Sequence, residues 1–305
     1  MAEGPDLIQE REVETAEGTY ALRLSSEDLS FLYPGMHRYT LRLTLGDAVI
    51  GTFRTNTYEY SPTVPLNAAD AARKKMDEWE TALVTSRERF LPLLTRPAPL
   101  AAPIHTTDVV VIQGSPRPDG NCSIYASWVV DEGRRIGRSV QVIYIDDLAI
   151  RPCIGCYRCY NTGLCTFRDD MAGIIGAVRA ASLLVICSPV YTGTVPGGLK
   201  TVLDRFQALH AGQNLFGGRP LPPALLCAVC GRSGMENFAC LREVIRSCLG
   251  NLGIRGAGEI YADGMDRTGG IGEVEGLEER VRTAVRDFFA RKGGSGPPLQ
   301  RKTNH

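Results

Sequence analysis

Residues 108–123 read DVVVIQGSPRPDGNCS, a short apolar run that leads through a glycine-containing loop into polar residues able to begin a helix. The second part of the chain repeats this arrangement, with further apolar runs at 139–145, 181–188, 224–230 and 256–262. Amphipathic helices are predicted near 121–137, 170–180, 196–210, 234–250 and 273–291. Apolar strands that alternate with helices indicate an α/β fold with a parallel sheet covered on both faces. Five such strands favour a doubly wound sheet of order 2-1-3-4-5.

The residues before this region predict a second, smaller domain. Residues 1–95 contain two stretches in which apolar and polar residues alternate, YALRLS and HRYTLRLTLGDAVIGTFRTNTYEY. One long helix follows, LNAADAARKKMDEWETALVTSRERFLPLL, with Ala72, Met76, Trp79, Leu83 and Phe90 near one face. The sequence therefore predicts a small α+β domain at 1–95, a proline- and alanine-rich linker at 96–107, the larger domain at 108–292 and a flexible tail at 293–305. The small domain carries no motif that assigns it a role.

Charge and cysteine content narrow the class of protein. Lysine and arginine together number 34, as do aspartate and glutamate, and no long basic run indicates nucleic-acid binding. The N-terminus lacks the basic start and apolar core of a signal peptide, and no window reaches about 18 uninterrupted apolar residues. We therefore expect a cytoplasmic protein that does not bind a membrane. In that reducing compartment the ten cysteines are expected to be thiols or metal ligands.

Three loops of the larger domain are predicted to meet where ligands bind, beyond the carboxyl ends of the strands. The first loop offers hydroxyl, amide and guanidinium donors and a helix N-terminus, which together suit a phosphate. The other two offer backbone amides and an aromatic ring, which suit a planar heterocycle. The candidate binding residues are Ser115, Arg117, Gly120, Asn121, Cys122 and Ser123 in the first loop, Pro189, Val190, Tyr191, Thr192 and Gly193 in the second, and Gly231 and Arg232 in the third. The loops indicate a mononucleotide cofactor, although an ordinary strand-to-helix turn and a packing role for Tyr191 stay open.

A separate segment, RPCIGCYRCYNTGLC, places four cysteines within thirteen residues: Cys153, Cys156, Cys159 and Cys165. Thiolates at this Cys-x2-Cys-x2-Cys-x5-Cys spacing can surround one inorganic core, and the pattern favours a [4Fe-4S] cluster. Structural zinc and free or disulfide-forming thiols are the alternatives. Asp169 or Asp170 is predicted to cap the helix that follows. The sequence shows no nucleophile–base pair, so we predict no catalytic side chain and assign the chemistry to cofactors.

These motifs together resemble a known family. Residues 108 to about 290 resemble the NADPH-dependent FMN reductase branch of the flavodoxin-like superfamily, with GSPRPDGN similar to its FMN phosphate loop and SPVYTGTVPGGLKTVLDR to its isoalloxazine loop. The cysteine spacing resembles that of the iron-sulfur flavoproteins within the branch. Cys122 departs from the pattern, since relatives commonly have threonine or serine there. The resemblance implies FMN and a [4Fe-4S] cluster, in a homodimer or homotetramer in which the cluster of one subunit lies near the flavin of a neighbour.

The predicted function is that of a redox flavoprotein. We expect an FMN-dependent, iron-sulfur oxidoreductase that passes electrons between a ferredoxin-like one-electron donor, or NAD(P)H, and a small-molecule or protein acceptor. One alternative is an NAD(P)H-dependent reductase of free flavin or quinone in which the cysteine segment is structural. Another is a pure electron carrier with no substrate of its own.

Overall fold

The computed structural model describes residues 5–61, 65–94 and 107–293, with the side chains of the last two left out. Apart from Thr107 and Gly293, the predicted linker and tail lie outside these residues. The chain forms two compact units. The first contains the described residues up to 94 together with Ile154–Thr166 and Ala211–Gly217, and the second contains the rest. This division differs from the predicted domains, because most of the cysteine segment belongs to the N-terminal unit.

The first unit is built on a four-stranded antiparallel sheet with the order β1-β2-β3-β4. The strands are β1 (Asp6–Thr15), β2 (Gly18–Asp28), β3 (His37–Leu45) and β4 (Ala48–Asn56). Helix α1 (Ala68–Thr85) packs on one face and buries the predicted apolar side chains, with Phe90 partly buried beside them. The α+β prediction is confirmed, but β1 is an additional strand that the sequence reading missed.

The single long helix predicted for this unit is wrong, because the chain leaves helical geometry at Ser86. Helix α1 ends at Thr85, Ser86 has φ −151°, and α2 spans Arg87–Leu94. The Ser86 N–H still donates to Ala82 O (2.9 Å), while the Ser86 carbonyl accepts from Arg89 and Phe90 and begins the second helix. Serine favours such helix ends over helix interiors.

The second unit contains a five-stranded parallel sheet. Its strands are β5 (Val109–Gln113), β6 (Val140–Tyr144), β7 (Leu183–Pro189), β8 (Ala224–Val229) and β9 (Gly256–Ala262). The order β6-β5-β7-β8-β9 confirms the predicted 2-1-3-4-5 arrangement. Strands β5 and β8 are buried along their whole length, as expected for a sheet covered on both faces.

Helices form the outer layers of this unit. The described helices after α2 that lie wholly in this unit are α3 (Asn121–Arg135), α5 (Met171–Ala180), α6 (Gly197–Arg205), α8 (Ala239–Asn251) and α9 (Leu277–Gly293), whereas α4 (Cys159–Thr162) belongs to the first unit and α7 (Gln207–Phe216) is divided between the two. Helices α3 and α9 contribute to the apolar core on one face of the sheet, and α5, α6 and α8 to the core on the other. Where a single helix was predicted over 196–210, there are two, and the second continues to Phe216. Among the described residues, no helix is both long and apolar enough to cross a membrane.

An ion pair between a buried carboxylate and an exposed arginine joins α3 to α9. The fully buried Glu132 accepts hydrogen bonds from Arg135 (2.8 and 2.6 Å) and, across the helix pair, from Arg286 Nε (2.9 Å). These bonds, the one from Arg135 foremost, lower the pKa of Glu132 to about 2. Because the folded state favours the ionised form, this stabilisation is complete above the pKa of the unfolded chain and is lost as the pH falls towards 2.

The Glu132→Gln substitution should therefore destabilise the protein by about 2 kcal/mol at pH 7. The difference from wild type should shrink as the pH falls from 5 towards 2, because over this range the Glu132 carboxyl takes up a proton in the unfolded chain while it stays ionised in the folded protein. Denaturant unfolding at a series of pH values measures this difference. A difference independent of pH would contradict the assignment of the stabilisation to the ionised carboxylate.

Candidate cofactor sites

The loop after β5 is organised by the buried side chain of Gln113. Its Oε1 accepts a hydrogen bond from the Ser115 N–H (2.9 Å), while its Nε2 donates to Ser123 Oγ (3.0 Å) and to the Arg117 carbonyl (3.3 Å). The Ser115 hydroxyl in turn accepts from the Arg117 N–H (3.1 Å). One amide thus fixes both ends of the predicted phosphate loop. The sequence reading missed Gln113, although a polar residue that ends an apolar strand was a signal.

Gly114 is required where this loop passes close to β7 and α6. Its N–H donates to the Cys187 carbonyl (2.8 Å), and a Cβ at this position would lie 2.8 Å from Leu199 Cδ2. Strands β5 and β7 are hydrogen-bonded neighbours, so the loops that follow them lie at the same edge of the sheet.

Two predicted contacts of this loop are directed elsewhere. The Asn121 Oδ1 accepts a hydrogen bond from the Ile271 N–H (3.1 Å), which ties α3 to the chain after β9. The Cys122 thiol is buried in the apolar core, and burial raises its pKa. The Cys122 side chain is therefore not available to a phosphate, whereas the bond to Asn121 uses the amide oxygen and not the nitrogen that could donate to one. Within the described chain, α3 has no side-chain cap at Gly120, and a helix N-terminus of this kind can bind an anion.

The second loop contains a tight turn in a strained conformation. The Tyr191 N–H donates to the Thr194 carbonyl (2.8 Å), and the Thr194 N–H donates to the Tyr191 carbonyl (3.0 Å). The two central residues, Thr192 and Gly193, have φ values of 47° and 78°, as in a type I′ turn. A β-branched residue at positive φ costs roughly 1–2 kcal/mol, and such strain concentrates at ligand sites. The Tyr191 ring is exposed beside this turn.

The third loop is fixed by the chain that follows β9. The Asp266 N–H donates to the Gly231 carbonyl (3.0 Å), and the Gly264 N–H donates to the Arg232 carbonyl (3.0 Å). A Cβ on Gly231 would lie 2.3 Å from an Asp266 carboxylate oxygen, so a larger residue there would have to displace the Asp266 side chain. The sequence reading did not include Asp266, which is distant in the chain from the loop that it supports.

The cysteine segment has an irregular backbone around one short helix, α4. Gly155, Tyr157 and Gly163 have φ values of 63°, 53° and 74°, so the chain turns sharply at three points. Cys159 is buried, Cys156 and Cys165 are partly exposed, and Cys153 is exposed.

The four thiols match an iron-sulfur cluster in chemistry and in number, since thiolates are the ligands that such clusters use. Among the described residues, which include all four, no three cysteine, histidine or acidic side chains lie close enough together to hold a metal ion. The donor set fits a cluster by its chemistry and number alone, because no three of these thiols converge in this structure, and the cluster stays a prediction.

Asp169 braces the residues immediately before the segment. Its carboxylate forms a buried, two-bonded ion pair with Arg205 (2.8 Å for each bond) and accepts from the Arg151 N–H (3.0 Å). Arg205 also donates to the Arg151 carbonyl (2.6 Å). The Arg205 guanidinium lowers the pKa of Asp169. The ion pair and the bond to the Arg151 N–H therefore persist while the Asp169 carboxylate is ionised.

The prediction that these carboxylates cap the next helix is wrong for Asp170. Asp170 begins α5 without a side-chain capping bond, and its carboxylate instead accepts from the Ala149 N–H (2.8 Å). Asp169 does accept from the Met171 N–H, at 3.3 Å, but its shorter bonds go to Arg205 and Arg151. Both carboxylates therefore position the chain leading to Cys153.

Comparison with known proteins agrees with this geometry. Residues 107–253, just under half of the chain, match the family model of NADPH-dependent FMN reductases. The resemblance seen in the sequence is confirmed.

The chain is also similar to iron-sulfur flavoproteins. One from Methanocaldococcus jannaschii is 34% identical over 113 residues, which cover 36% of this chain and 58% of that protein. The chain thus spans little more than half the length of this relative. A second from the same organism is 26% identical over 196 residues, which cover 61% of this chain and 97% of that protein. Among solved structures, an FMN-dependent NADH-azoreductase from Bacillus anthracis is 14% identical at a TM-score of 0.46, covering 59% of this chain and 98% of that one.

The Gln113→Ala substitution should weaken FMN binding by about tenfold or more, because the buried Ser115 N–H loses its acceptor and Ser123 loses its donor. Quenching of flavin fluorescence on titration of apoprotein measures the affinity. Gln141→Ala, at an exposed position of β6, is the matched control and should bind FMN as the wild type does. Equal affinity in all three proteins would show that FMN does not depend on this loop.

Proposed function

We propose that the protein is an FMN-dependent oxidoreductase that also carries a [4Fe-4S] cluster. The observation that carries the proposal is that one chain combines a match to the FMN reductase family model over residues 107–253 with a four-cysteine segment between β6 and α5. Its function would be to pass electrons between a one-electron donor, ferredoxin-like in character, and a small-molecule or protein acceptor.

The loops at the carboxyl edge of the sheet would hold the FMN. The N–H groups at the start of α3, the hydroxyls of Ser115 and Ser123 and the guanidinium of Arg117 suit its phosphate. The loops at Pro189–Gly193 and Gly231–Arg232 would lie along its ring system. Bound FMN would supply the redox chemistry, while these residues bind and orient it.

The four cysteines would hold the cluster as thiolates. A cluster exchanges one electron at a time, whereas a flavin accepts one or two, so the pair could join a one-electron donor to a two-electron acceptor. A cytoplasmic location and a homodimer or homotetramer stay predictions.

A second candidate function follows from the family of residues 107–253, whose model describes NADPH-dependent enzymes. In this reading NAD(P)H reduces the flavin directly and the cysteine segment is structural. Anaerobic mixing with NADPH separates the two proposals. Rapid loss of the flavin absorbance favours direct reduction, and a flavin that stays oxidised favours a one-electron donor.

The Cys156→Ala substitution should remove the iron and leave FMN bound, because the proposed thiolate and flavin sites use different residues. Iron, sulfide, zinc and FMN are measured on anaerobically purified protein. Cys240→Ala is the matched control, since Cys240 is an exposed cysteine outside the segment, and it should retain about four irons and four sulfides per chain. Iron content that is unaffected by Cys156→Ala, or zinc in place of iron in the control, would contradict the cluster.

A further inference from the structure

The N-terminal sheet has two faces of different character. Helix α1 covers the face that carries Leu22, Leu41 and Leu43. Strand alternation places polar side chains on the other face. These include Ser25 and Glu27 of β2, Arg38, Thr40 and Arg42 of β3, and Thr52, Arg54 and Asn56 of β4. A polar face of an antiparallel sheet usually meets solvent. Here Arg38 is only 7% exposed and Asn56 is fully buried.

The cysteine segment covers these buried polar residues. The Asn56 Nδ2 donates to the Tyr157 carbonyl (3.2 Å) and to Asn161 Oδ1 (2.9 Å), while its Oδ1 accepts from the Tyr58 N–H (3.0 Å). The Asn56 side chain thus bonds its own strand end and the segment at the same time.

Arginine donors extend this contact along the segment. Arg38 Nη1 donates to the Tyr160 carbonyl (3.0 Å), and the rest of its guanidinium pairs with Glu27 (2.6 and 3.2 Å). Arg54 Nη1 donates to the Asn161 carbonyl (3.3 Å). The Phe216 ring lies 5.7 Å from the Arg38 guanidinium and 5.8 Å from that of Arg54. Both cations are therefore held between the sheet and residues of the same compact unit.

The Glu59 carboxylate bonds both the end of β4 and the cysteine segment. Its Oε1 accepts from the Asn56 N–H (2.9 Å), from Thr55 Oγ1 (3.2 Å) and from the Asn161 side-chain amide. Because the buried amide of Asn161 is bonded by Asn56 on its oxygen and by Glu59 on its nitrogen, its orientation is fixed.

Four tyrosines pack around the same region. Tyr33 and Tyr58 come from the N-terminal residues, and Tyr157 and Tyr160 from the segment. The centroids of Tyr157 and Tyr58 are 4.9 Å apart, and Tyr33 meets Tyr157 and Tyr160 edge to face at 5.2 and 5.3 Å. Such ring pairs favour one relative arrangement. Tyr157, which has positive φ, is therefore held by ring packing as well as by the bond from Asn56.

These contacts fall beside the thiols. Tyr157 directly follows Cys156, and Tyr160 directly follows Cys159. We infer that the N-terminal sheet fixes the backbone of the cysteine segment, and that Arg38, Asn56 and Glu59 are positioning residues for the thiols of Cys156 and Cys159. This assigns a role to residues that precede the family match at 107. That the sheet fixes the segment backbone does not depend on the proposed function. That this affects bound metal rests on the proposed function.

Hydrogen exchange of the metal-free full chain, followed by mass spectrometry, tests the inference. In Asn56→Ala, the amides of residues 157–163 should exchange about tenfold faster than in wild type, because two bonds to the segment are lost. The β3 amides should keep their protection. Arg23→Ala is the control, since this exposed residue on the same face pairs with Glu10, and exchange of the segment should be unchanged.

Arg38→Lys provides an independent test in case Asn56→Ala unfolds. Lysine keeps the charge beside Glu27 but lacks the guanidinium fork that reaches the Tyr160 carbonyl at the same time, so exchange near residue 160 should accelerate. If Asn56→Ala folds and its segment amides exchange at the wild-type rate, the inference is overturned. If Asn56→Ala unfolds, a wild-type exchange rate near residue 160 in Arg38→Lys overturns it.

Iron retention distinguishes this inference from the proposed function. If the wild type holds iron, Asn56→Ala should lose it to a chelator faster than Arg23→Ala does, and equal loss would overturn the positioning role. If the wild type never binds iron but the segment amides still exchange faster in Asn56→Ala, the sheet does fix the segment and only the proposed cluster is contradicted.

Discussion

Buried polar groups must find hydrogen-bond partners, and this requirement determines how both candidate sites are built. In the second unit, the buried amide of Gln113 is satisfied by the two ends of the loop after β5. In the first unit, the buried amide of Asn56 is satisfied by the cysteine segment. Loss of either amide would leave buried partners unpaired, which costs about 1–3 kcal/mol for each group. Each side chain therefore holds a loop that could bind a cofactor.

The same requirement explains the charged groups near the segment. Arg205 and Asp169 are both nearly inaccessible to solvent, and each is paired. The bonds that they make to residue 151 determine where the segment begins. Arg38 and Glu27 form the corresponding pair beneath its middle. Isolated charges would be costly at such positions, so the pairs also restrict the backbone that they contact.

The fold was largely predictable from sequence because each buried strand is a short apolar run between turn residues. Strand β1 was missed because its solvent-facing positions carry Glu10, Glu12 and Glu14, which gave the N-terminus an acidic composition that hid the alternation. The break at Ser86 was missed because the apolar period continues through it to Phe90.

The candidate sites were less predictable than the fold. Local sequence indicated which loops carry polar and glycine residues, and it singled out the cysteine spacing. It could not indicate that Asn56 bonds a carbonyl 101 residues away or that Asp266 packs against Gly231, since both contacts arise only when distant parts of the chain meet. The Cys122 side chain is likewise buried in the core, and the Asn121 oxygen is bonded to Ile271, through tertiary contacts that their neighbours in sequence do not reveal.

The proposed function requires one chain to hold two redox groups of different electron capacity. Anaerobic reductive titration with dithionite, followed by visible absorption, counts the electrons that the purified protein accepts. About three electron equivalents per chain are expected, two for the flavin and one for the cluster. A total of about two, with all of the absorbance change assignable to flavin, would contradict the proposed function and leave a flavin enzyme whose cysteine segment has no redox role.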